Sequence, residues 1–355
     1  MEGQASRPLA TGAGTSNWFV WKGCRTMQTG YKLLLAATIV SSSIGWSHQV
    51  SAQNDTYQIV STSYQQPLTT VETYVGSKRV ETVRYAIGSV DHLNDDLMYS
   101  AETDQVVDLK NSKGTVKPVA PAPMRIKKYK NAFYAMSISG FNQFSLTKYS
   151  LDFKKIGTTK RYTGFGKELI VTGGKLYVLA DHMKGNDYAI TLHTFDTTSF
   201  KSLHQKTFKQ LLQADQIRQD GSQLKIYGIS PENDEKLTIL SYDVKKQHVT
   251  KTMTTNQYVK GGVEKTQILS KDTELIFNQD RMYEINHKTK QVRVLYDGKH
   301  DLVDYAYDAK TKTYHVLEEI TKTAEFRVKT LNRHFKPIAE YRLKKSDSVR
   351  PFRVL

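Results

Sequence analysis

The chain has 355 residues, 39% hydrophobic and 10% aromatic, which excludes a disordered chain and leaves room for two ordinary domains or one large all-β domain. A single cysteine excludes a disulfide scaffold, and 51 Lys and Arg against 35 Asp and Glu give a net charge of +16, spread along the chain rather than held in a tail. Such a field favours polyanionic partners: nucleic acid, anionic lipid or acidic wall polymers.

The N-terminal stretch reads as a targeting segment. Residues 1–26 look like an upstream extension, because Met27 would itself open a signal peptide of ordinary size. Lys22, Arg25 and Lys32 precede an apolar core from Leu33 to about Trp46, and small residues follow in "VSA" before Gln53. That core is shorter and richer in Ser than a membrane span, which needs roughly 20 mainly apolar residues. The alternative is a retained membrane anchor. Cys24 precedes the apolar core, whereas a lipoprotein signal places its cysteine after it, so lipidation is rejected. Cleavage after Ala52 leaves 53–355 without a thiol. The expectation is a signal peptide over 27–52, one domain over 53–355, and a secreted or cell-surface protein of a bacterium, Gram-positive in the simplest case.

Beyond the signal, three strand-like runs come first: "TYQIVSTSY", "TTVETYVGS" and "RVETVRYAI". A unit then repeats. Each copy carries an apolar residue at the end of its third strand, just before a polar turn: Val107, Tyr149, Phe195, Tyr242, Ile285 and Leu331, at intervals of 42, 46, 47, 43 and 46 residues. In the copy holding Phe195, "KELIVTGG" turns at Gly173-Gly174 into "KLYVLADH", followed by "DYAITLHTFD" and "SLHQKTF". The next copy turns at Asp220-Gly221. Gly in a two-residue connection supplies the positive φ of hairpin turns. Short alternating runs carry the assignment, and only "FKQLLQADQI" competes as a helix. The last run, "SVRPFRVL", is a single strand.

Four strands in a period in the forties resemble the blades of the β-propeller superfamily, of the WD-repeat or YVTN kind in size and strand order. The resemblance spans roughly residues 57–355 and implies an all-β, seven-bladed propeller whose three leading strands and one trailing strand close a blade, with Val349 to Leu355 innermost. The interval from Tyr74 to Val107, only 33 residues, supports the alternative of six blades with an N-terminal appendage. The Gly-His and Trp-Asp signatures of WD repeats, the Asp boxes of sialidases and the tryptophan repeats of quinoprotein dehydrogenases are missing, so the resemblance assigns no functional residue.

In such a blade, the 1–2 and 3–4 turns share one face of the ring, and the 2–3 and inter-blade connections share the other. The 1–2 turns here are tight, while the other class reads as long and irregular: "APAP", "TGFG", "DHMKGND", "SPENDEK" and "TTNQYVKGG". Loop variety marks the 2–3 face as the binding surface. Candidate ligand-binding residues there are His182 and Lys184 on one loop, and Tyr258 and Lys260 beside the flexible Gly261-Gly262. The run "MRIKKYKN", read as an innermost strand, adds Arg125, Lys127, Lys128 and Lys130 as a positive channel lining. The acidic "ENDE" lacks the alternating ligands and central Gly of a calcium loop, so neither a metal nor a cofactor is expected.

Enzyme signatures fail one by one. There is no Gly-x-Ser-x-Gly elbow, Walker loop or His-Glu-x-x-His, and "HVLEE" at His315 reads as an ordinary strand. No catalytic residue is assigned. The sequence therefore predicts a secreted, non-enzymatic, monomeric propeller of the bacterial envelope that binds a protein or an anionic cell-wall glycopolymer. Nucleic acid fits the charge but conflicts with export, and a membrane enters only through a retained N-terminal segment. The rival is a propeller hydrolase or lyase acting on acidic polysaccharide, which would gather a buried acid-base cluster near the axis.

Overall fold

A computed structural model describes residues 56–354, apart from short internal stretches, the longer ones being 63–66, 110–113 and 344–351. The expected signal peptide and upstream extension lie outside the described residues. Among the described residues there is no helix: 29 strands make seven small antiparallel sheets.

Blade 1 opens with β1 (Thr56–Thr62), β2 (Thr69–Val75) and β3 (Lys78–Tyr85). Blade 2 is short throughout: β4 (His92–Asn94), β5 (Leu97–Tyr99), β6 (Gln105–Asp108) and β7 (Thr115–Pro118). Blade 3 has β8 (Arg125–Tyr129), β9 (Ala132–Ile138), β10 (Gln143–Tyr149) and β11 (Lys155–Thr158), and a two-residue β12 (Tyr162–Thr163) pairs back onto β10. Blade 4 is β13 (Phe165–Thr172), β14 (Lys175–Lys184), β15 (Asp187–Asp196) and β16 (Ser202–Phe208). Blade 5 is β17 (Gln213–Asp220), β18 (Gln223–Ser230), β19 (Asn233–Asp243) and β20 (His248–Tyr258). Blade 6 is β21 (Lys265–Ile268), β22 (Thr273–Phe277), β23 (Arg281–Asn286) and β24 (Val292–Asp297). Blade 7 is β25 (Asp301–Asp308), β26 (Thr313–Ile320), β27 (Glu325–Leu331) and β28 (Pro337–Leu343).

The last strand, β29 (Phe352–Val354), returns to blade 1 and pairs antiparallel with β1, Tyr57 opposite Val354 and Ile59 opposite Phe352. Blade 1 thus has the order β29-β1-β2-β3, and the C-terminal strand is innermost. The fold is a seven-bladed β-propeller closed by both ends of the chain. The six-blade alternative fails because blade 2 is complete, and the interval from Tyr74 to Val107 is short because its strands run to only three or four residues.

Seven apolar clusters hold the ring, one at each blade junction among the described residues. The cluster of Ile59 and Tyr74 with Leu317, Phe326 and Val328 joins blade 7 to blade 1. The residue that marks the period is buried in every copy, from Val107 to Leu331. In the last four copies the next residue is Asp or Asn, and its side chain caps the 3–4 turn. Asp196 Oδ1 accepts from the N–H of Thr198 and Ser199, Asp243 from Lys245 and Lys246, Asn286 from Lys288 and Thr289, and Asn332 from His334 and Lys336. The pair "core residue, then Asx" is therefore a packing anchor followed by a turn cap.

Two local expectations are corrected. The helix-like "FKQLLQADQI" is the end of β16, a turn and the start of β17; Leu211 and Ala214 are buried between blades 4 and 5, so tertiary packing overrides the local pattern. The long loops are largely extended strand. β14 and β15 stay paired out to Lys184 opposite Asp187, which puts His182 in β14 opposite Ala189, and β20 runs on through Tyr258. These hairpins are longer than the sequence reading assumed because their polar tips continue the ladder.

Candidate functional site

The first strands of the blades surround the axis, and several of their charges are spent on the neighbouring blade. Arg125 and Lys127 on β8 reach Glu168 on β13, with N···O separations of 3.1 and 3.6 Å. Lys265 on β21 pairs with Asp304 on β25, and Arg218 on β17 with Glu274 on β22 at 2.8 Å. A shared backbone device supports this arrangement. Bulges in β13, β17 and β25 displace Lys167, Asp215 and Val303 from the ladder. The next residues, Glu168, Gln216 and Asp304, each accept the N–H of the residue that follows. A bulge re-aims side chains without ending the sheet.

Two features lie near the axis. A hollow of about 340 Å³ is lined by the first strands of blades 5, 6 and 7, including Gln216, Arg218, Lys265, Gln267 and Tyr305. Its cations already hold the buried carboxylates of Glu274 and Asp304. Between blades 4 and 5, Lys167 pairs with Asp181 at 2.9 Å, and Tyr188 donates to the same carboxylate at 2.5 Å. Asp215 accepts from the Gln213 side-chain amide at 2.8 Å and from the Val263 N–H at 3.3 Å. Burial raises the carboxyls of both Asp181 and Asp215, with Lys167 opposing it, and burial next to Asp181 raises the Tyr188 phenol. Asp181 is 3% exposed.

A further polar site lies toward the 2–3 face at the junction of blades 3 and 4. Two adjoining pockets of about 580 and 510 Å³ share Arg161 and Thr163. The first is lined by Ser139, Gly140, Asn142 and Gln143 around the β9–β10 connection. The second runs beneath the segment 160–163 onto β14, β15 and β16 and is lined by Lys160, Tyr162, His182, Thr191, His193, Gln205 and Thr207. Strand alternation explains the polar lining: Thr191 and His193 share one face of β15, as Gln205 and Thr207 share one face of β16. Thr191 Oγ1 lies 3.2 Å from Thr207 Oγ1 and 3.3 Å from His182 Nδ1. Lys160 stands over the Tyr162 ring at 5.6 Å. His193 packs edge-on to Phe144 at 5.1 Å, and burial, with a smaller push from His182, lowers its pKa to about 4.

The sequence candidates do not converge. Arg125 and Lys127 face blade 4 and share Glu168 instead of lining a positive channel, because side chains of a blade's first strand leave the sheet faces toward the neighbouring blade. Lys128 is exposed on the same strand, and Lys130, at φ 52° in the turn after β8 and 5.4 Å over Tyr129, lies on the 1–2 face, opposite the predicted surface. His182 is in the pocket. Lys184 and Tyr258 end β14 and β20, with side chains outside the described residues, as is the whole of Lys260. Sequence reading missed Lys160, Arg161, Tyr162, His193 and Gln205. The basic pair followed by an aromatic at a blade junction was the available signal; the strand positions become polar lining only when blade 3 covers them. No group of three or more metal-ligating side chains occurs among the described residues.

No protein-family model matches the chain, and no curated protein sequence matches it. Solved structures do. One is a 6-phosphogluconolactonase candidate from Bacteroides fragilis NCTC 9343, 11% identical, with a TM-score of 0.55 over 87% of this chain and 100% of that one. Another is a mutant apocarotenoid oxygenase from Synechocystis, 8% identical, with a TM-score of 0.52 over 92% of this chain and 98% of that one. At these identities the likeness is one of fold alone.

Proposed function

We propose that this propeller is a secreted binding protein of a bacterial cell envelope that holds an anionic glycopolymer through its 2–3 face, with the paired pockets between blades 3 and 4 as the reading site. The observation that carries this is the contrast in charge. Cations at the axis are matched by buried carboxylates, whereas the pocket behind Lys160 and Arg161 is lined by no acidic residue. Loss of 1–52, with its four basic residues and one acidic residue, lowers the net charge from +16 to +13, which still supplies a long-range attraction to an acidic wall, strongly screened by salt. The test is retention of the purified protein on isolated bacterial walls, before and after removal of their anionic polymers, across a salt series. Retention that needs the polymers and falls steeply with salt supports the reading; indifference to both treatments refutes it.

A second reading, a hydrolase or lyase on acidic polysaccharide, draws on the Lys167–Asp181–Tyr188–Asp215 cluster, whose raised carboxyls suit acid-base work. Release of reducing ends from polyuronates that is lost in Asp181→Asn would favour it over binding alone.

A further inference from the structure

We propose that the pocket behind Arg161 takes one carboxylate-bearing sugar ring, a hexuronic acid unit, and that Nε2 of His193 donates a hydrogen bond to it. This rests on the glycopolymer reading and adds the identity of the recognised unit.

The starting point is an unmet donor. Gln205 donates its side-chain amide to His193 Nδ1 at 2.8 Å, which makes Nδ1 the acceptor and leaves the imidazole proton on Nε2. That nitrogen is buried and has no hydrogen-bond partner, although His193 is only 4% exposed and lines the pocket. Buried polar groups are nearly always satisfied, so an unmet donor on a side chain that lines a polar hollow marks a place for an acceptor from outside the chain.

The surroundings specify the acceptor. A volume of about 510 Å³ is in the range of small-ligand sites. The Tyr162 ring supplies an apolar wall, backed by Phe195 at 4.8 Å between ring centroids. Thr191, near His182, adds groups that both donate and accept, which suits a ring bearing several hydroxyls. Lys160 and Arg161 stand exposed at the mouth with no carboxylate in the lining to compete for them. A planar guanidinium matches a carboxylate bidentately. Wall, hydroxyl partners and terminal anion together describe a uronic acid better than a bare anion, which would use only the mouth.

The experiment is titration of the full chain, labelled with ¹⁵N at histidine, with D-glucuronate, D-glucose and inorganic phosphate in parallel, followed by NMR and calorimetry. Expected is saturable glucuronate binding with a shift of the His193 Nε2 resonance, with glucose and phosphate each weaker by about tenfold or more. Arg161→Gln, at an exposed position, is expected to weaken glucuronate about tenfold with the fold intact, and His193→Phe to abolish the site while keeping a ring. Phosphate binding as tightly as glucuronate, or glucuronate binding that leaves the His193 signal unmoved, would overturn the assignment. Absence of glucuronate binding alongside polymer-dependent wall retention overturns this inference alone; loss of wall retention is the separate failure of the glycopolymer reading.

Discussion

Arg218 and Glu274 meet across the junction of blades 5 and 6, a guanidinium nitrogen 2.8 Å from a carboxylate whose side chain is 1% exposed. Tyr227 donates to the same carboxylate at 2.6 Å, and His287 Nε2 lies 3.0 Å away. Burial alone would raise this carboxyl, but the hydrogen bond to His287 and the charge of Arg218 outweigh it and hold it below its usual range. Its stabilisation is therefore present above the unfolded carboxyl value and lost as pH falls through the folded one. Glu274→Ala strands a half-buried guanidinium and is expected to cost about 3–5 kcal/mol in urea unfolding, whereas the double change Arg218→Met with Glu274→Met costs clearly less.

Asp304 behaves in the opposite sense. Burial raises its carboxyl to about 6 despite the facing Lys265. Between the unfolded value near 4 and this folded value the native state binds more protons than the unfolded chain, so this group's contribution to stability falls as pH rises through that window. Asp304→Asn removes the slope. The stability difference between variant and parent should shift by roughly 2–3 kcal/mol in the variant's favour from pH 4 to pH 7, measured by urea unfolding at each pH; a difference independent of pH refutes this.

Gly228 on β18 lies opposite the bulge that displaces Asp215. A Cβ there would sit 2.0 Å from the carbonyl oxygen of Gln213, so backbone must move. Gly228→Ala is expected to destabilise by about 1–3 kcal/mol, seen as a lower Tm, and to disturb the contact between Asp215 and the Val263 N–H.

Removing residues 344–355 deletes β29 and uncovers the edge of β1. An unpaired inner edge is a template for another chain. The truncated protein should melt at least about 5 °C lower and show concentration-dependent association by light scattering, whereas the intact ring should not.

The basic residues divide into two groups. Lys127→Gln touches an ion pair that Arg125 also serves, so its stability effect should stay within about 1 kcal/mol. Replacing Lys160 and Arg161 together by Gln should leave Tm unchanged and flatten the salt dependence of wall retention more than replacing Lys127 and Lys128 does.

How much of this was legible in the sequence follows from the range of each interaction. The period, the strand order within blades and the closing strand could be read because they rest on local alternation, turn chemistry and the spacing of Phe195, Tyr242, Ile285 and Leu331, all written within about one blade's length of chain. Even the Asx caps after three of those four residues, and the Asn after Leu331, stand beside the apolar anchors they serve. The fate of the charges was not local. Arg125 finds Glu168 43 residues on, and Arg218 finds Glu274 56 residues on, because curvature of the ring sets one blade against the next. The pocket has the same origin: His193 and Gln205 are unremarkable polar positions on strands until Tyr162 and Arg161, arriving from blade 3, cover them and make a wall. Sequence by itself determined the repeating unit and its closure; only the tertiary structure decided which cations are neutralised inside the ring and which remain at the mouth of a pocket, since pairing across blades depends on a geometry that no single blade encodes.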